Sequence, residues 1–236
     1  MRVIPVIDVA DGVVVHATGG ERSRYQPVQS PLVDTCDPIA VAEALLKVCQ
    51  ATELYFADLD ALTGKMRQSA VVSTLISHIS IDLWLDAGIS EDEDLDTAEP
   101  GTKTILGTET LGDPGVIAQA AARLGAENVI LSLDYRNGCL LGDDGDWQHH
   151  LYEASFFSGI NHFIALDLDR VGSRGGTGTV EVIERLRATF PTADLIAGGG
   201  IRDWADIERL ESAGATGVLV ATALHEGTLT FPRPTS

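Results

Sequence analysis

Residues 81–90 read IDLWLDAGIS, and residues 193–202 read ADLIAGGGIR. Asp82/Asp194, Leu83/Leu195, Gly88/Gly200 and Ile89/Ile201 coincide at a constant offset of 112. A phrase repeated at this separation constrains the fold more than composition does, because each copy must build an equivalent structural part. Three more repeats follow in the same order along the chain. Asp8 with Gly12 four residues on returns as Asp134 with Gly138, an offset of 126. Asp58-Leu59-Asp60 returns as Asp167-Leu168-Asp169, an offset of 109, and Thr108 as Thr222, an offset of 114.

The segments around these repeats alternate between two kinds. Continuous apolar runs at 2–9, 53–59, 81–86, 102–107, 128–134, 161–168, 193–198 and 216–221 read as strands covered on both faces. Helical patterns lie between them. Asp37-Pro38 has the chemistry of an N-cap and first position for a helix running to about Gln50, and Asp113-Pro114 opens another ending near Gly125. Residues 179–190 and 203–213 behave similarly, with Gly214 as a C-terminal stop. Eight strand–helix units predict an α/β fold, a (β/α)₈ TIM barrel in one domain over 1–236, duplicated from half-barrels of about 1–125 and 126–236. A doubly wound open sheet is the main rival, but it does not explain the ordered repeats.

Composition narrows the function class. The net charge of −19 is opposite to the basic footprint of a nucleic-acid binder. Three lysines stand against 13 arginines and 21 aspartates, which fits either a salt-rich cytoplasm or an ordinary acidic enzyme. No apolar run reaches the roughly 18 residues of a membrane span. Asp8 interrupts any signal-like stretch, and Cys36, Cys49 and Cys139 form no disulfide or metal pattern. A cytoplasmic protein with neither membrane nor nucleic-acid partner is expected; its oligomeric state is left open.

In such a barrel, ligands sit at the C-terminal strand ends. Asp8 and Asp134 fall there on the first and fifth strands, which face each other. Opposed carboxyls can serve as general base and general acid, moving a proton between adjacent carbons of a sugar. Each could instead cap the loop that follows it. Gly198, Gly199 and Gly200 end the seventh strand, where backbone N–H groups can approach a phosphate closely. The first copy places Asp86 and Ala87 at the corresponding positions, and a carboxylate there repels a dianion.

The phrases IPVIDVADGVVVH, DLDALTG, AGGGIR and GVLVATALHEG resemble the histidine-biosynthesis barrels, the family of ProFAR isomerase and the cyclase subunit of imidazole-glycerol-phosphate synthase. The likeness runs from about residue 2 to about residue 229 and suits the ProFAR isomerase-related branch. It implies a half-barrel duplication, a substrate with a phosphate at each end, and no metal or organic cofactor. It also implies that Asp8 is the base of an Amadori rearrangement, that Asp134 and Asp167 match the strand-5 and strand-6 aspartates, and that Gly198–Gly200 with Thr222 form the second phosphate cup. The chain departs from the family at several points. Val171-Gly172-Ser173 stands for Asp-Gly-Thr, Asp86-Ala87-Gly88 for the first glycine triplet, His16 for a basic residue after the first strand, and Ala221 for a strand-8 glycine.

These departures point to a phosphorylated small-molecule substrate with one cup kept and one lost, acted on by an isomerase or lyase. Alternatives are a surviving ProFAR isomerase and a non-catalytic barrel that binds a phosphometabolite or a protein. Arg22, Arg24 and Tyr25, in the loop after the first strand, are candidates for the other end of the ligand, with Asp58, Asp86 and His16. A solvated loop is the competing reading for these basic residues. Arg174, beside Gly175-Gly176, is a candidate to reach the retained cup, whereas Arg202 reads as a helix-surface ion pair. His149-His150 do not read as a metal site, since neighbours on a helix point about 100° apart. Asp143-Asp144-Gly145-Asp146 reads as a turn before Trp147, lacking the distal Glu of a calcium loop.

Overall fold

The computed structural model describes residues 1–19, 21–142, 147–173 and 175–233. Eight parallel strands follow one another around a closed barrel: β1 (Arg2–Ala10), β2 (Glu53–Asp58), β3 (Asp82–Asp86), β4 (Thr102–Gly107), β5 (Val129–Arg136), β6 (His162–Asp167), β7 (Asp194–Gly198) and β8 (Gly217–Val220). Each pairs with its successor, and β8 closes on β1 with Arg2 opposite Gly217 and Pro5 opposite Val220. The architecture is the expected (β/α)₈ TIM barrel, with strand ends within two residues of those read from the apolar runs.

Helices α1 (Pro38–Cys49), α2 (Ser69–His78), α3 (Gly115–Leu124), α4 (Trp147–Ser158), α5 (Val180–Thr189) and α6 (Trp204–Ser212) surround the sheet. The Asp37 carboxylate accepts from the N–H groups of Ile39 at 3.1 Å and Ala40 at 2.9 Å, so α1 starts where its capping chemistry dictates. Gly214 follows α6 at φ +105°, a conformation costly for other residues.

The strand–helix alternation fails twice. Between β3 and β4 a 3₁₀ segment, Asp92–Thr97, replaces an α-helix. The run from Glu91 to Asp94 is wholly acidic, and Pro100-Gly101 closes the segment, so like-charge repulsion and a chain breaker both oppose a longer helix. After β8 the described residues form only the four-residue helix Thr222–His225.

The pleat sends every second side chain inward. Ile4, Tyr55, Trp84, Ile105, Ile130, Ile164, Ile196 and Leu219, one from each strand, fill the barrel axis in one buried cluster. These eight pair across the sequence at 126, 109, 112 and 114 residues, the offsets of the repeated phrases. A second cluster packs the outer sheet face against the helices. Counting outward in twos from this axial layer places Asp8, Asp86 and Asp134 on the inward face.

The glycine four residues after Asp8 and Asp134 acquires a physical role. Asp11-Gly12, at φ +48° and +79°, joins β1 to an antiparallel strand Val13–His16. Asn137-Gly138, at φ +52° and +73°, joins β5 to Cys139–Leu140. Two successive positive φ values define the tight hairpin turn that Asp-Gly and Asn-Gly favour. Each turn folds a short antiparallel ribbon back onto the strand that carries the aspartate.

Candidate active site

The C-terminal strand ends enclose a cavity of about 1040 Å³, its open mouth included. Asp8 and Asp134 both line it, from strands four apart in either direction around the barrel. Burial pushes the Asp8 carboxyl up to about 7, opposed by the nearby Arg22 guanidinium and reinforced by Asp86. Burial also pushes Asp134 up to about 7, against hydrogen bonds from the Ser132 hydroxyl at 2.7 Å and the Glu109 backbone N–H at 3.0 Å. Carboxyls tuned to this range can both accept and release a proton near neutral pH.

Asp86 is the third inward carboxyl. Burial pushes it up to about 6, opposed by a hydrogen bond from the Tyr55 hydroxyl at 2.9 Å. Glu109, just past β4, receives Arg22 at 2.6 Å and Arg136 at 3.5 Å. The Arg22 bond ties the loop after β1 across to β4. Tyr25 in the same loop also lines the cavity, and burial with the Asp8 charge pushes its hydroxyl up to about 12.

The opposite side of the mouth is built from backbone. Gly199, Gly200, Gly172, Ser173 and Thr222 line it. Gly199 sits at φ +93°, where an added Cβ would lie 2.3 Å from the Asp167 carbonyl oxygen. Gly200 sits at φ +77°, where a Cβ would lie 2.5 Å from the Gly176 carbonyl oxygen. Gly176 thus packs directly against Gly200 without lining the cavity. Gly198 is buried against Leu166 and does not line the cavity. These glycines are required by packing as well as being open to a ligand.

Several sequence candidates stand elsewhere. Asp58 points outward because Tyr55 and Ala57 fix the inward parity of β2. Its carboxylate caps the next turn, accepting from the N–H groups of Ala61 at 3.0 Å and Gln68 at 2.7 Å. Asp167 is outward for the same reason, since Ile164 and Leu166 point in, and it pairs with Arg170 at 3.1 Å. Neither lines the cavity, and the capping role fits Asp58 directly. His16 lies in the ribbon opposite Gln26, and Arg24 pairs at the surface with Glu21. Arg202 holds Asp206 through two 2.9 Å bonds, the expected helix-end ion pair. His149 faces Glu153 on α4 at 3.6 Å, and among the described residues no cluster of three His, Cys, Asp or Glu could hold a metal. Arg174, Gly20 and the Asp143–Asp146 turn lie outside the described residues.

Tyr55, Glu109 and Arg136 were not singled out as site residues by sequence. Tyr55 sits inside an apolar run that reads as core, and Arg136 lies just past the strand-5 repeat with no matching residue in the first half. Glu109 carried a usable signal, since it directly follows the repeated Thr108 at a strand end.

A family model described as "Histidine biosynthesis protein" matches residues 2–230. An uncharacterized protein of Methanocaldococcus jannaschii is 31% identical over 97% of this chain and 95% of its own length. The 1-(5-phosphoribosyl)-5-((5-phosphoribosylamino)methylideneamino)imidazole-4-carboxamide isomerase (ProFAR isomerase) of Thermus thermophilus is 31% identical over 96% of this chain and 95% of its own. The enzyme of that name from Lactiplantibacillus plantarum is 29% identical over 97% and 96%. Among the described residues, no helix is long and apolar enough to cross a membrane.

Proposed function

The chain belongs to the histidine biosynthesis family, and from that premise we propose that it is a cytoplasmic isomerase-type enzyme acting on a small molecule with one phosphate. The observation that carries this reading is the opposed pair Asp8 and Asp134, both held near pKa 7 in one cavity. Asp8 takes a proton from a carbon beside a carbonyl or imine, while Asp134 protonates the oxygen or nitrogen on which charge develops. Asp8 then returns its proton to the neighbouring carbon, and Asp134 recovers one from the adjacent hydroxyl. Gly199, Gly200 and Thr222, backed by Gly176, hold the phosphate through backbone N–H groups. The shared offsets of the axial layer support descent from a duplicated half-barrel.

ProFAR isomerisation itself is the second reading, favoured by identity to enzymes of that name over nearly the whole chain. That name specifies two phosphoribosyl groups. The β3 end offers Asp86 and Ala87 where β7 offers Gly198 and Gly199, which argues against a second dianion here.

Both readings are tested by incubating the purified chain, and Asp8→Asn as a matched control, with ProFAR and with a panel of sugar monophosphates. The expected result is no ProFAR turnover, a higher melting temperature in inorganic phosphate for both proteins, and turnover of a monophosphate that falls about 10³-fold in the variant. ProFAR turnover abolished by the substitution overturns the single-phosphate reading. Phosphate binding with no turnover of any candidate leaves a metabolite-binding barrel.

A further inference from the structure

We infer that the substrate's end remote from the phosphate carries a protonated amine, seated between Asp86 and Asp8. The substrate class is then an amine-bearing monophosphate. The inference rests on the reading of Gly199, Gly200 and Thr222 as the phosphate cup, and adds what the opposite side of the mouth selects.

Charge comes first. Four carboxylates, Asp8, Asp86, Glu109 and Asp134, share the cavity with two guanidinium groups, Arg22 and Arg136. Both guanidinium groups reach Glu109, at 2.6 Å and 3.5 Å, so this acid takes up the cationic partners that a second anion would need. Among the described residues the other three carboxyls form no ion pair, and Arg22 acts on Asp8 and Asp86 only from a distance. A second phosphate or carboxylate would face them uncompensated, whereas an ammonium group relieves their mutual repulsion.

Unfilled acceptor capacity comes second. Asp8 accepts no hydrogen bond from any described residue, although it is buried enough for desolvation to dominate its titration. Asp86 has one oxygen, Oδ2, engaged by Tyr55 at 2.9 Å. Its other oxygen, Oδ1, has only a long 3.4 Å contact from the Gly88 N–H. A carboxylate can take about four hydrogen bonds, so both groups present to the cavity lone pairs that no described protein donor fills. An ammonium carries three donors and no acceptor, matching a site that supplies acceptors. A neutral hydroxyl would fill one acceptor without offsetting the charge.

The third strand of the argument is position. Asp86 stands on β3 at the inward register that Gly198 occupies on β7, across the barrel. A ligand with its phosphate near β7 and β8 therefore presents its far end toward Asp86, passing Asp8 on β1, the strand next to β8.

The experiment titrates the purified full chain by calorimetry with ω-aminoalkyl phosphates of three to six carbons, alkyl phosphates of matched length, α,ω-alkane bisphosphates, and inorganic phosphate. The best amino compound should bind at least about tenfold tighter than its alkyl match, and tighter than any bisphosphate. Asp86→Asn, which keeps the Tyr55 hydrogen bond, should erase that preference and leave inorganic phosphate binding unchanged. Glu109→Gln should free both arginines and improve bisphosphate binding. Equal binding of the amino and alkyl compounds to the wild-type chain, or a preference for bisphosphate, overturns the inference whatever the variants do. Should inorganic phosphate and every phosphate probe fail to bind, the cup reading fails. The inference is then decided by alkylammonium ions alone, whose binding must occur and be lost in Asp86→Asn.

Discussion

The two sides of the barrel mouth are built on opposite principles. From β6 to β8 it is backbone brought close, with Gly172, Gly199 and Gly200 at positive φ and neighbouring carbonyl oxygens where a Cβ would stand. From β1 to β5 it is ionisable side chains, three of them carboxyls, Asp134 buried and Asp8 and Asp86 half-buried, held well above their ordinary range. The glycine side is a packing solution that can also bind, so its residues cannot be assigned to binding alone. The acidic side gains nothing for the fold by burying carboxyls with so few partners. A feature that costs stability and persists in a cleft points to chemistry more strongly than one that stabilises.

The largest test breaks the glycine side. Gly199→Ala introduces a Cβ 2.3 Å from the Asp167 carbonyl oxygen at φ +93°. The β6 and β7 loop ends must separate, at a cost of about 3 kcal/mol in stability. Thermal unfolding should show that loss together with the loss of stabilisation by phosphate. A variant of unchanged stability would show that the two loops are not packed as described.

Breaking the acidic side should have the opposite sign. Burial pushes the Asp8 carboxyl up to about 7 in the folded chain, against the ordinary aspartate value of 3.8 in the unfolded one. Between those values the folded state holds more protons, so stability falls as pH rises through the window and is regained below it. Asp8→Asn removes that dependence. It should raise stability by about 2 kcal/mol at pH 8 and by little at pH 4, while cutting turnover about 10³-fold. Denaturant titrations of both proteins at the two pH values provide the check. Destabilisation at pH 8 would mean that Asp8 is a structural cap after all, and the contrast between the two sides would collapse.

Much of this contrast was legible in the sequence. The barrel was readable because its strands are continuous apolar runs and its repeats recur in order, both properties of local spacing. Asp8 and Asp134 were readable because each precedes a hairpin turn by a fixed step. Asp58 and Asp167 show how the same signal misleads. They also end strands and also repeat, but pleat parity turns them outward, and parity is visible only once one inward residue on the strand is known. Counted from Tyr55 and Ile164, both would have been placed correctly. The Arg22–Glu109 pair was out of reach, because 87 residues separate partners that meet only when the barrel closes. Glu109 is marked locally only by following the repeated Thr108, which puts it at a strand end without naming its partner.

The smallest effect sharpens the comparison within the loop after β1, where two nearby arginines have different surroundings. Arg22 reaches over the mouth to Glu109, and its charge lowers the Asp8 titration against the dominant effect of burial. Arg24 pairs with Glu21 at the surface and does not contribute to that titration. Arg22→Gln should therefore move Asp8 upward by roughly half a pH unit, because an unscreened charge is removed from a desolvated site. Arg24→Gln should leave it in place. Carbon-13 NMR of the aspartate carboxyls resolves this without knowledge of the substrate. A base that drifts further above neutrality holds its proton more often at pH 6.5, so turnover at that pH should drop about twofold in Arg22→Gln alone. Equal responses to the two substitutions would mean that the loop acts as a diffuse positive cloud. A response confined to Arg22 would make this ion pair the means by which the β1 loop tunes the base across the barrel.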